Sequence, residues 1–179
     1  RQILSLGAAA GAAALFGAPQ PAYAATQTHL DCCALNVRKF GAFGDAVTDD
    51  SASFQRALDA AFKNGGGTVY APPGKYLLKS TLIVPEGVTL RGSYSCVPSH
   101  TGLRDRGQPK PGDDGTALFV TADQGSEEGT AFLTLNSNSS VAGLTIYYPE
   151  QVTNSAPKPY PWTVAMRGNG VTDDPALKR

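Results

Sequence analysis

Asp45, Asp49 and Asp50 form the most prominent acidic cluster of the 179-residue chain. Paired carboxyl groups can act as general acid and base, and two of them astride a glycosidic oxygen hydrolyse it. Here the local sequence claims them for structure. Gly41-Ala42-Phe43-Gly44-Asp45 reads as a turn, and Asp49-Asp50-Ser51 supplies N-cap candidates for a helix. Asp113-Asp114 and Glu127-Glu128 are adjacent pairs in loops, where carboxylates are ordinarily solvated. His29 and His100 stand apart from any Ser, Cys or carboxylate spacing that would make a triad or a metal site. No phosphate loop or dinucleotide fingerprint occurs, so no catalytic residue, metal ligand or cofactor is assigned. The aromatic residues say more. Tyr147-Tyr148-Pro149 and Pro159-Tyr160-Pro161-Trp162 flank a loop of Gln, Asn, Ser and Lys. Sugar rings stack their C–H faces on such side chains, and phenol and indole edges donate hydrogen bonds. Tyr147, Tyr148, Tyr160 and Trp162 are therefore candidate saccharide contacts. The alternative is an aromatic plug against the flank of the fold.

What must position these residues follows from composition. Fifteen basic and fifteen acidic residues cancel, so no net field favours nucleic acid or an anionic membrane. Charged residues make up 17%, while Gly and Pro number 20 and 13, which points to many turns and short strands. Ile3 to Phe16 is apolar and uncharged, Pro19 and Pro21 follow, and Ala22-Tyr23-Ala24 offers a small-x-small cleavage pattern. Residues 1–24 are thus expected to be a signal peptide of a secreted protein, and residues 25–35 a lead-in without periodicity. After export, Cys32 or Cys33 has Cys96 as a bridging partner, a closure worth about 4 kcal/mol on the chain-entropy view. Three unbridged thiols are the other reading.

Val37-Arg38-Lys39-Phe40 is expected as a short edge strand. A helix follows Asp50, with Phe54, Leu58, Ala61 and Phe62 on its apolar face and Asn64-Gly65-Gly66-Gly67 at its end. Short strands come next, at Thr68–Ala71, Tyr76–Leu78, Thr81–Val84, Val88–Gly92, Ala117–Val120, Phe132–Leu135 and Val141–Tyr147, and Val164–Met166 begins another turn. No crossover helices separate them, as an open parallel sheet would require, and few two-residue hairpin signals occur, as a sandwich would require. A sandwich and stacked rungs both stay open on periodicity, whose repeat is ragged; the balance tips modestly to stacked rungs, with Asn and Ser of Leu135–Val141 suited to a corner.

Asn36 to Asp45, Thr48-Asp49-Asp50-Ser51, Phe54–Leu58, Gly65–Tyr70, Pro72–Tyr76 and Val88–Gly92 together resemble the N-terminal motif of the pectate lyase superfamily domain. The resemblance implies an all-β fold, a single-stranded right-handed parallel β-helix over residues 36–170 with one N-terminal capping α-helix. It implies a polysaccharide or oligosaccharide partner, through either a glycoside hydrolase or a lyase. Calcium enters only in the lyase case. A non-catalytic glycan-binding or tail-spike-like scaffold is the alternative. In such enzymes the catalytic carboxylates lie on middle rungs. The protein is therefore expected to continue past Arg179, or residues 171–179 to replace its own sequence, and the chain alone is expected to be inactive. Ser93 to Gly115 departs from the motif as a polar insertion, either walling a groove or solvated.

Overall fold

The computed structural model describes residues 34–94, 114–152 and 155–167. Residues 1–24, expected to direct export, all three cysteines, both histidines, residues 95–113 of the insertion and residues 171–179 lie outside the described residues. The first turn comprises β1 (Ala34–Asn36), β2 (Asp45–Asp49) and α1 (Ser51–Lys63). The second holds β3 (Gly67–Tyr70), β4 (Gly74–Leu78) and β5 (Leu82–Val84), and the third β6 (Val88–Arg91), β7 (Thr116–Val120) and β8 (Leu133–Leu135). The fourth holds β9 (Ser140–Ala142), β10 (Thr145–Tyr147) and β11 (Val164–Met166).

Consecutive strands of β3–β11 never pair with each other. Each joins the strand three places on, giving a first sheet β1-β3-β6-β9, a second β2-β4-β7-β10 and a third β5-β8-β11. Every pairing is parallel. Three-sided rungs of this kind make a parallel β-helix, and facing antiparallel sheets are ruled out. In-register columns explain why short strands suffice. Val69 lies over Leu90 and Val141, Tyr76 over Leu118, and Leu82 and Val84 over Leu133 and Leu135. Most of these side chains are fully buried. Each such burial contributes roughly 1.5–3 kcal/mol. Together they exceed what any one rung supplies alone.

The structure corrects the expected elements in five places. Val37–Phe40 is a 3-10 helix, because its two apolar residues are three apart and Asn36 accepts the Arg38 amide while Gly41 closes the end in a left-handed conformation. Residues 34 and 35 belong to β1, so the first sheet begins before Asn36. β2 was not expected. Its ladder to β4 is irregular, with Ala46 at φ 65, and although burial alternates along it, Asp-Ala-Val-Thr-Asp puts the apolar Val47 on the exposed side and so shows no apolar–polar alternation. Val141–Tyr147 is two strands, since Gly143 at φ 67 turns the chain from the first sheet to the second. On α1, Ala57 replaces Phe62 in the buried stripe with Phe54, Leu58 and Ala61, and Phe62 is 53% exposed. A residue eight on from Phe54 sits about 80° around the helix, at the edge of that stripe.

α1 occupies the stretch between β2 and β3 where a strand of the third sheet would otherwise run. The Phe54 ring meets Tyr76 edge-on at 5.1 Å. Gln55 does what the missing strand would do: its amide donates to the Ile83 carbonyl at 3.1 Å and accepts the Ile83 N–H at 3.0 Å. This closes the free edge of β5. Gln55→Ala is expected to destabilise the fold by about 1–2 kcal/mol in urea titrations, with the denaturant slope unchanged. An unchanged midpoint would show that water replaces the amide at no cost.

Candidate functional site

The acidic cluster proves to be a set of local ties. Asp45 accepts the amides of Val47 and Thr48 and the Thr48 hydroxyl. Asp50 sits at the N-cap position of α1 but makes no side-chain cap; its carboxylate instead takes the amides of Phe43 and Gly44. Asp49 accepts from the amide and hydroxyl of Ser51, and the Ser51 hydroxyl oxygen accepts the amides of Lys79 and Ser80. The start of the helix is thereby sewn to the turn after β4. Burial works against charge on Asp49, but the Ser51 hydroxyl and the Ser51 and Lys79 amides outweigh it and hold the carboxyl below its ordinary value. The Thr48 and Val47 amides do the same for Asp45. Depressed carboxyls stabilise the fold above their unfolded value and lose that contribution as pH falls through the folded one. Acid titration followed by circular dichroism should therefore show stability falling below about pH 4. Asp49→Asn is expected to flatten that fall, and an equally steep fall would remove Asp49 from the account.

The aromatic candidates divide between two surfaces. Tyr147 projects from the outer side of β10, in register with Phe119 on β7, which is in register with Leu77 on β4. Neighbours in these strands, Tyr76, Leu78, Leu118 and Ile146, belong to or pack against the core. The outer face of the second sheet thus carries a half-buried apolar ladder along the coil, where alternation would ordinarily place polar residues. The Phe119 and Tyr147 rings tilt together at 5.2 Å.

Tyr148 and Tyr160 meet in the segment after β10, with ring centres 4.6 Å apart and 57° between planes. They line a cleft of about 420 Å³ with Glu127, Gln151, Lys158, Thr163 and three prolines. Tyr148 shares a hydrogen bond with the Thr163 hydroxyl at 2.9 Å. Gln151 grips the Lys158 backbone at both its N–H and carbonyl, and the Lys158 ammonium lies 2.6 Å from Glu150. That ammonium holds Glu150 below the ordinary glutamate value. The buried Tyr160 hydroxyl oxygen has no partner, and burial, then the Glu150 charge, pushes its pKa up. Trp162 does not line the cleft and is 81% exposed; its carbonyl accepts the Phe132 amide at 3.0 Å. The four candidates therefore form a ladder residue, a cleft pair and a free indole. Sequence reasoning missed Gln151, Lys158 and Thr163, whose loop has no periodicity, and weighed Glu127 only as a solvated pair with Glu128. Among the described residues no three His, Cys, Asp or Glu gather as a metal ion would need.

Comparison with known proteins adds kinship. The family model described as rhamnogalacturonase A/epimerase, pectate lyase-like, matches residues 34–165. Mannuronan C5-epimerase AlgE4 of Azotobacter vinelandii is 48% identical over 65 residues, covering 32% of this chain and 12% of its own length. Alginate lyase 7 of the same organism is 61% identical over 41 residues, 23% of this chain and 5% of its own. Plasmin and fibronectin-binding protein A of Streptococcus pneumoniae is 46% identical over 52 residues, 28% of this chain and 7% of its own. The chain spans a small part of each of these relatives.

Proposed function

The chain belongs to the rhamnogalacturonase A/epimerase, pectate lyase-like family, and we propose that it forms the front rungs of a secreted protein that modifies an acidic polysaccharide. The observation that carries this reading is the family match across residues 34–165, joined by relatives named for mannuronan and alginate. On a uronate the shared chemistry is removal of the C5 proton beside the carboxylate. An epimerase returns a proton to the opposite face; a lyase expels the C4 oxygen and leaves a C4–C5 double bond. Hydrolysis, with its two carboxyls astride the bond, draws less support, because these relatives are named for an epimerase and a lyase.

In this reading the coil is right-handed, as parallel crossovers overwhelmingly are. α1 caps its front, and the ladder of Leu77, Phe119 and Tyr147 gives a glycan an apolar rail along the axis. The 179-residue chain binds glycan but leaves it unchanged, the bond-making groups lying on rungs beyond those described. Affinity electrophoresis in gels holding mannuronan, with product analysis by proton NMR, tests this. Retardation without epimerised, unsaturated or newly reducing products is expected of the chain, and products are expected from the longest gene product. Failure of both to act on or bind any uronan would overturn the reading. Tyr147→Ala and Trp162→Ala should each weaken binding about three- to tenfold by calorimetry. Unchanged affinity in both would remove the rail and the free indole from the site. The similarity to a plasmin- and fibronectin-binding protein favours one second reading, a non-catalytic binder. Product formation by the extended protein separates the two.

A further inference from the structure

The groups facing the cleft between Tyr148 and Tyr160 are unevenly committed. The Lys158 ammonium is taken by Glu150, the Gln151 amide by the Lys158 backbone, and the Tyr148 hydroxyl by Thr163. Two polar groups have no partner at all among the described residues. The Tyr160 hydroxyl is buried without a partner, and the Glu127 carboxylate has no cation within ion-pair distance among the described residues. Around them the walls are apolar, formed by two phenol rings and Pro157, Pro159 and Pro161. With Lys158 neutralised by Glu150, the residual charge is negative and belongs to Glu127.

We infer that this cleft is a subsite for an uncharged sugar unit and turns uronates away. A neutral pyranose fits the inventory: its C–H face lies on rings and prolines, one hydroxyl donates to Glu127, and a ring or hydroxyl oxygen accepts from Tyr160. A uronate in the same place sets its carboxylate against Glu127, and the Lys158 ammonium can answer it only while shared with Glu150, which leaves the cleft with a net negative charge. The inference rests on the reading of a polysaccharide-handling protein but differs from it in the charge of the unit held. A chain modified by the enzyme would then be gripped here by a non-uronate residue or end group.

The full chain is titrated by calorimetry and by NMR of the Tyr148 and Tyr160 ring signals, with two probes differing only at C6. These are a neutral β-1,4-linked mannose tetrasaccharide and the corresponding mannuronate tetrasaccharide. Ring shifts are expected with the neutral probe, at about tenfold tighter binding than any ring-shifting association of the uronate. Tyr160→Phe should weaken the neutral probe about fivefold, and Glu127→Gln, a surface change, should narrow the gap between the probes. Equal or tighter uronate binding at these rings, or no ring shift with the neutral probe, overturns the inference. Uronan modification by the extended protein is scored separately, so either outcome there leaves the result at these rings intact.

Discussion

Asp50→Asn is expected to lower the stability of the chain by about 3 kcal/mol, and Asp50→Ala by slightly more. The Asp50 side chain is fully buried, yet no cation among the described residues lies within ion-pair distance of it. What holds it is a fork of two amides: Oδ1 accepts the Phe43 N–H at 2.8 Å and Oδ2 the Gly44 N–H at 2.9 Å. Both oxygens must accept. An asparagine keeps one acceptor and turns an NH2 group toward the other N–H, where donor meets donor. Alanine leaves both N–H groups without their acceptor. The turn has little freedom to find another arrangement. Gly44 is at φ 67, and a Cβ there would lie 2.9 Å from the Tyr76 ring. Arg38 braces the same turn from outside, donating to the carbonyls of Phe43 and Pro73. Urea titration of the two variants reads the effect. It also decides between a structural and a catalytic carboxylate, because replacing a catalytic acid commonly leaves stability unchanged or raised. A midpoint unmoved in Asp50→Asn would contradict the structural role.

Much of this fold was legible in the residues, and the reason is repetition. Short runs such as Leu82–Val84 and Leu133–Leu135 carry β-branched and aliphatic residues between turn formers, and the strands lie where those runs lie. The motif from Asn36 to Gly92 was recognisable as residue runs in a fixed order, and in the structure each part has a separate duty: Asn36 starts the 3-10 turn, Asp50 grips the Phe43–Gly44 turn, Gln55 closes β5, and Tyr76 packs against Phe54. Those duties were hidden. They depend on partners 28 residues apart in the case of Gln55 and Ile83, and no local pattern announces such a pair. β2 escaped because its exposed side carries Val47 and its half-buried side Ala46 and Thr48, so its residue types do not mark the alternation that its burial has. The site was legible only as composition. Aromatic residues near prolines pointed to the segment 147–162. Which of them meet was decided by the corner after β10, where Tyr147 turns outward and Tyr148 packs against the core.

Gly92→Ala is expected to detach the fourth rung from the third, at a cost of about 3 kcal/mol. Gly92 leaves β6 at the corner where β9 turns into β10, and the two corners touch through backbone: the Gly92 N–H donates to the Ala142 carbonyl at 2.9 Å and the Tyr94 N–H to the Gly143 carbonyl at 2.9 Å. A Cβ on residue 92 would stand 2.2 Å from the Gly143 oxygen and 2.8 Å from the Leu144 Cβ. Neither obstacle is the far end of a mobile side chain, so the rungs themselves must separate. Amides of β9 and β10 should then lose hydrogen-exchange protection before those of β3 and β4, because only the ladders on the far side of the corner are strained. Gly125→Ala is the matched control. Gly125 is at φ 100 with nothing within 4 Å of an added Cβ, so its cost is backbone strain alone, about 1 kcal/mol, with no selective loss in β9 and β10. If both variants lose stability equally and exchange uniformly, close stacking of the corners is not what spaces the rungs. The in-register columns of Leu90 over Val141 and Leu118 over Ile146 would then have to set that spacing unaided.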